Sequence, residues 1–369
     1  MFKNFFLLLA IITINSCDSS IANEVQPMQS NSPRAKNIIL LIGDGMGVSQ
    51  ITAGLYANGN HLEIERFKHM GLVKCHSSNN LITDSAASGT AFATGIKTFN
   101  GAVGVNPNRE PVKNIVEYAE EKGLATGLVV TSQMAHATPA AFFGHHHKRS
   151  LMEDIAAQLL DQDIDLLIGG GQNHFENRKD NQNISKKLRK KGYQVHSFMD
   201  KALTEIEADP QQNLLYFTAA GLPLPKHQGR DYLPFAMDFS IDFLQKKSKK
   251  GFFLMVEGSQ IDLGGHAKNS DFIISEMLEF DEIVGKALDF AEEDGNTLVI
   301  LGADHETGGY AINYGSTEDN FKAGFTSDYH TATMVPIFAY GPGAEDFTGI
   351  FDNTQVFFKM MDAYGWNVD

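Results

Sequence analysis

The chain is 369 residues long, 43% hydrophobic, and carries 45 acidic against 30 basic residues, a formal charge of −15. That composition suits one large globular domain or two medium ones, and its acidity argues against the basic face that a nucleic-acid binder needs. An anionic small-molecule partner stays open, because bound cations would invert the local field.

Taken in chain order, residues 1–16 read as an export signal: Lys3 supplies a positive charge, and the apolar run at 5–12 is too short to span a bilayer. The tetrad Ile14-Asn15-Ser16-Cys17 resembles a bacterial lipoprotein cleavage box, with Cys17 acylated; ordinary signal cleavage that removes Cys17 is the alternative. Residues 17–35, rich in Ser, Asn, Gln and Pro, then form a lipidated flexible tether. The expected location is the periplasm or the outer membrane, with the lipid at Cys17 as the sole membrane contact. The one other cysteine, Cys75, reads as a small core residue, and no internal disulfide is expected.

From residue 36 onward, short apolar runs predict strands at 37–42, 125–131, 165–168, 251–256, 296–301 and 335–339. Amphipathic segments predict helices at 112–122, 151–160, 232–246, 271–292 and 354–363. Apolar strands between helices indicate an α/β fold, a mainly parallel central sheet covered by helices on both faces. Residues 36–369 read as a single catalytic domain, with the polar stretch 178–225 less regular and peripheral.

Ligands of open α/β sheets lie beyond the carboxyl ends of the strands. Three strands here run into acidic residues: one into Gly43-Asp44-Gly45, one into Glu257, and one into Gly302-Ala303-Asp304-His305. A single such carboxylate serves equally well as a helix cap. Three together repel unless a cation lies between them, so a metal site is the simpler account. Asp262 and His266, four residues apart, and His330 add further candidate ligands. Imidazole and carboxylate without cysteine suit zinc, and all-oxygen sets suit magnesium.

The nucleophile candidate is Ser85, in Thr83-Asp84-Ser85-Ala86-Ala87-Ser88-Gly89, where small residues indicate a loop entering a helix. A helix N-terminus there would face an anion with free N–H groups. The same segment by itself reads first as a serine helix cap. No Gly-x-Ser-x-Gly elbow surrounds Ser85, which disfavours a hydrolase triad and leaves activation by a metal.

The segments IILLIGDGMG, TDSAASGTAFATGIKTFNGAVGV, HATPAAFFGHHHKR, VEGSQIDLGGH, TLVILGADHETGG and HTATMVPIFAYGPG resemble the signatures of the alkaline phosphatase family, in family order. The resemblance implies hydrolysis of phosphate monoesters through a phosphoserine on Ser85, with broad specificity, releasing inorganic phosphate and an alcohol. It implies two zinc ions, one held by Asp262, His266 and His330 and one by Asp44, Asp304 and His305. It further implies one magnesium on Asp44, Thr138 and Glu257, and a bidentate grip of Arg149 on the phosphoryl group. A homodimer is common among relatives.

Two positions depart from the family pattern. His136 stands where some members carry Asp, which implies a looser magnesium shell. Leu263 stands where relatives carry Lys, His or Trp beside the phosphate. The run His145-His146-His147 reads as structural. Phosphodiesterases and sulfatases of the superfamily use Thr or a modified Cys where Ser85 stands, and a metal-binding lipoprotein with a dead site would have no need of Ser85 and Arg149.

Overall fold

The computed structural model describes residues 34–318 and 320–367. The expected signal and lipid-box residues lie outside these. Among the described residues, no helix is long and apolar enough to cross a membrane.

The frame is a ten-stranded sheet. In chain order its strands are β1 Asn37–Gly43, β2 His69–Lys74, β3 Ala125–Gln133, β4 Leu166–Gly170, β5 Gln194–Ser197, β6 Leu214–Phe217, β7 Phe252–Gly258 and β8 Thr297–Gly302. Two short strands pairs follow, β9 Glu306–Thr307 with β12 His330–Thr331, and β10 Tyr310–Ile312 with β11 Ala323–Phe325. Strands β13 Val335–Tyr340 and β14 Gly349–Asp352 complete the main sheet, whose order is β14-β2-β13-β8-β1-β7-β3-β4-β6-β5. Only β13 runs against the rest. The mainly parallel α/β architecture expected from the sequence is the one observed.

Strand β1 shows why the centre is parallel. Every residue of its run Asn-Ile-Ile-Leu-Leu-Ile-Gly is buried, so both faces are covered and no polar alternation appears. Strands β7 and β8 flank it and are buried throughout as well. The six strands expected from apolar runs correspond to β1, β3, β4, β7, β8 and β13.

The stretch 178–225 is more regular than its polarity implied. It supplies the helix Ile184–Lys191 and strands β5 and β6, which extend the sheet beyond β4 to its edge. Strands of four residues are too short to impose a period on the sequence. At the other edge, β2 buries only Gly71 and Val73, and β14 buries no residue fully, so neither reads as an apolar run. The helix expected at 112–122 begins instead at Ile115. Asn114 caps it by accepting from the Val116 and Glu117 N–H groups, while the Glu117 carboxylate accepts from the Asn114 N–H.

Register brings the central strand ends level. Ile42 of β1 stands beside Glu257 of β7 and Gly302 of β8, and Glu257 stands beside Val130 of β3. The chain then leaves β1 through a turn at Gly45, whose φ is 74°. A Cβ on Gly45 would lie 2.8 Å from Asp262 Cα and 2.8 Å from Thr307 Oγ1, both rigidly placed. Gly45→Ala therefore meets strain in both backbone and packing, and is expected to cost at least about 1–3 kcal/mol. Urea unfolding should show a lowered midpoint; an unchanged midpoint would mean that the turn is slack.

Candidate active site

The helix Ser85–Thr94 is buried along its whole length, which its Ala, Ser, Thr and Gly content permits. Asp84, one residue before the serine, is its cap, accepting from the Ala87 N–H at 3.0 Å. Ser85 is thereby released from capping. It is the first helical residue, 2% exposed, with Oγ 3.2 Å from His305 Nε2. Ser88 ties the helix to the end of β8 by donating to the Asp304 carbonyl at 2.8 Å.

Around Ser85, the candidate ligands gather into overlapping groups. Asp44, Asp304 and His305 form one, Asp262, His305 and His330 a second, and Asp44, His136 and Glu257 a third. His305 Nε2 lies 3.2 Å from Asp304 Oδ2 and 3.5 Å from Asp44 Oδ1. Asp262 Oδ1 lies 3.4 Å from His266 Nε2 and 3.6 Å from His330 Nε2. Every sequence-derived ligand candidate thus falls in this region, and Thr138 joins it through a buried hydroxyl beside Glu257.

These groups are short of partners. Both Asp44 carboxylate oxygens, Glu257 Oε1, Asp304 Oδ2, Thr138 Oγ1 and His136 Nδ1 are buried without a hydrogen bond. Burial, with Asp304 and Asp262 nearby, pushes the Asp44 carboxyl far above the usual carboxylate range. Burial likewise raises Asp304 to about 8, with Asp262 adding to it, and Glu257 to about 7. Such carboxylates hold either protons or a cation. The donor chemistry fits divalent ions: Asp44, Glu257 and Thr138 offer oxygen with the His136 ring beside them, and nitrogen joins oxygen around His266, His305 and His330.

The histidines are oriented for that task. His266 Nδ1 donates to the Asp328 carbonyl at 2.9 Å, and His330 Nδ1 to the Thr83 carbonyl at 2.8 Å. A carbonyl accepts only, so each ring turns an Nε2 lone pair inward. For His305 the same service comes from Thr307. Its hydroxyl donates to Asp262 Oδ1 at 2.5 Å and therefore accepts from His305 Nδ1 at 3.2 Å. Burial, then His330 and Arg149, hold the His305 imidazole well below the usual histidine range, so it stays neutral.

Arg149 faces the same cleft as Ser85, together with Leu263 and His136. Asp84 anchors it: one carboxylate oxygen caps the helix, and the other accepts from Arg149 Nη1 at 2.9 Å and from the Gly101 N–H at 3.0 Å. Arg149 Nη2 donates to His136 Nε2 at 3.3 Å. Each terminal nitrogen keeps one further N–H for an anion. Burial and Arg149 lower His136 to about 3, so it is neutral, and because Nε2 accepts from Arg149 the proton is on Nδ1. The run 145–147 lies apart from these groups: His145 bonds to the Gly104 carbonyl and Glu117, and His146 stacks on His147.

Sequence reading missed Asp84 as the clamp on Arg149, and Thr307 as the hydroxyl between Asp262 and His305. Asp84 is adjacent to the serine it serves, but which of the two caps the helix, and that its second oxygen reaches Arg149, shows only in the structure. Thr307 leaves no local signal, since its role depends on the pairing of β9 with β12, which sets Thr307 opposite His330.

Comparison with known proteins bears on this geometry. The alkaline phosphatase family model matches residues 35–323. Alkaline phosphatase 3 of Bacillus subtilis is 33% identical over 94% of this chain and 93% of its own. The Escherichia coli alkaline phosphatase is 33% identical over 90% of this chain and 86% of its own. The solved alkaline phosphatase of the Antarctic bacterium TAB5 is 40% identical, with a TM-score of 0.86 over 91% of this chain and all of its own. Solved variants of that enzyme, with one histidine changed to glutamate or aspartate, have magnesium bound in a site called M3.

Thr307 supplies a test of the site's architecture. Thr307→Val keeps the shape and removes the hydroxyl, and is expected to weaken retention of divalent metal about 10–100-fold, as loss of an orienting partner does elsewhere. Thr307→Ser should restore it. Metal analysis after dialysis against a graded chelator reads this directly; equal retention in the valine variant would remove Thr307 from the account.

Proposed function

The chain belongs to the alkaline phosphatase family and is a phosphomonoester hydrolase, and on that premise we propose that Ser85 is its nucleophile. The observation that carries this is the place of Ser85 Oγ: at the first turn of a buried helix, 3.2 Å from His305 Nε2, in one cleft with Arg149. Asp262, His266 and His330 hold one zinc, Asp44, Asp304 and His305 a second, and Asp44, Thr138 and Glu257 a magnesium. Bound there, the cations lower the pKa of the serine hydroxyl and of water and offset charge on the departing oxygen.

The protein's own residues do the rest. Arg149, held by Asp84, binds two phosphoryl oxygens through its free N–H groups. The helix N-terminus at Ser85 adds partial positive charge on the same side. Ser85 Oγ forms a bond to phosphorus as the ester P–O bond breaks, and the leaving alkoxide takes a proton to become an alcohol. Water then forms the new P–O bond while the Oγ–P bond breaks, Ser85 regains its proton, and inorganic phosphate leaves. Because recognition centres on the phosphoryl group, many leaving groups are accepted. Residues 36–369 act as the catalytic domain, behind a signal at 1–16 and a lipidated tether from Cys17 that attaches the protein to the periplasmic side of a bacterial membrane. A homodimer is consistent with the family.

His136 is expected to loosen the proposed magnesium site. Its Nε2 accepts from Arg149, so Nδ1 carries the proton and neither nitrogen has a free lone pair for an ion beside Asp44 and Glu257. Magnesium bound in the M3 site of Antarctic-enzyme variants in which a histidine became glutamate or aspartate supports a magnesium site in this chain. His136→Asp is expected to tighten magnesium binding about tenfold or more, since magnesium prefers carboxylate oxygen; calorimetric titration showing no gain would count against it.

The direct test is Ser85→Ala. Turnover of p-nitrophenyl phosphate should fall by several orders of magnitude, about 10³-fold or more, and acid quench with labelled phosphate should leave the variant unlabelled. Near-normal turnover would end the assignment.

A further inference from the structure

Four apolar side chains open onto the cleft that holds Ser85 and Arg149: Met152, Leu222, Leu263 and Tyr329. They come from four separate segments of the chain, around a space of about 320 Å³. Leu222 is 47% exposed and Tyr329 46% exposed. One exposed leucine is ordinary; convergence of four apolar groups at the mouth of a polar site is not.

Leu222 is held in place and does not merely dangle. The Gly171 N–H donates to the Gly221 carbonyl at 2.8 Å and to the Ala219 carbonyl at 3.1 Å. The buried Gln260 amide donates to the Pro223 carbonyl at 3.1 Å and to the Thr131 carbonyl at 2.8 Å. Gln260 also directly precedes the helix Ile261–His266, which bears Asp262, Leu263 and His266. The wall carrying Leu222 is thus fixed to the element that carries the candidate ligands. Tyr329 is fixed too, its ring stacked on His330 at 4.2 Å and 4° between planes.

We propose that this rim is a leaving-group subsite for apolar alkyl and aryl alcohols. The proposal rests on the reading of Ser85 and Arg149 as the phosphoryl site: a phosphoryl group seated there sets its ester substituent against these side chains. Within a broad tolerance of monoesters, apolar leaving groups are then preferred over hydroxylated ones such as glycerol. The polar floor supplies the shared recognition of phosphate, and the rim supplies the difference between substrates.

The experiment is the kcat/KM of the metal-loaded enzyme for methyl, propyl, butyl and hexyl phosphate, with glycerol phosphate beside propyl phosphate. The leaving alcohols differ little in acidity along the n-alkyl series, so the trend reads contact. Partial burial of the added methylenes against the open rim, a little over half of the full transfer value, should raise kcat/KM about tenfold from methyl to butyl and set propyl above glycerol phosphate. In Leu222→Ser the butyl-to-methyl ratio should drop severalfold, and Leu222→Met should keep it; a ratio is not moved by a general loss of activity. A flat series in an enzyme that hydrolyses methyl phosphate would overturn the subsite alone. Failure to hydrolyse any member would overturn the phosphoryl-site reading, and the subsite with it.

Discussion

Mutual repulsion among buried carboxylates is the constraint on which this structure turns. Asp44, Glu257 and Asp304 are fully buried at the ends of neighbouring parallel strands, with Asp262 close by. An uncompensated buried charge costs several kcal/mol even after relaxation, and Arg149 is the positive side chain set against this group. The fold forces the proximity: the registers of β1, β7 and β8 bring their ends level, and each apolar strand terminates at an acid. Cations are the economical resolution, and the orientation of the histidines supports it. Three rings each spend Nδ1 on an oxygen and turn Nε2 inward.

The same constraint explains features that look local. Gly45 has no Cβ because Asp262 and Thr307 occupy that space. A Cβ on Gly265 would likewise lie 2.8 Å from Thr307 Cγ2. Asp84 divides its two oxygens between the helix that presents Ser85 and the guanidinium of Arg149, so the proposed nucleophile and the proposed anion-binding group share one anchor. Rigid support of this kind is what positions a catalytic group before substrate arrives. The apolar rim is built alike, on a loop pinned by Gln260, which ties Leu222 to the helix that carries Asp262 and His266.

What could be read from the sequence followed from burial. The wholly apolar runs of β1, β7 and β8, each ending in Gly, Asp or Glu, announced both a parallel sheet and its charged edge. Strands β5, β6, β2 and β14 did not show themselves, being short or only half-buried, so that pairing with a neighbour and not periodicity makes them strands. Ser85 and its helix were legible, but the choice between Asp84 and Ser85 as cap is a matter of one residue's frame and needed coordinates. Thr307 and Leu222 were invisible for a different reason. Each acts on residues far away in the chain, Thr307 on Asp262 and Leu222 on the mouth above Ser85, and single-sequence patterns carry no such pairing.

The most direct test is to strip the protein with chelator, then follow metal content, thermal unfolding and phosphatase activity together as zinc and magnesium are returned. The carboxylate account predicts an inactive, less stable metal-free protein that regains both properties as it takes up about three ions per chain, because binding free energy adds to folding free energy. A metal-free protein of undiminished stability and full activity would contradict it.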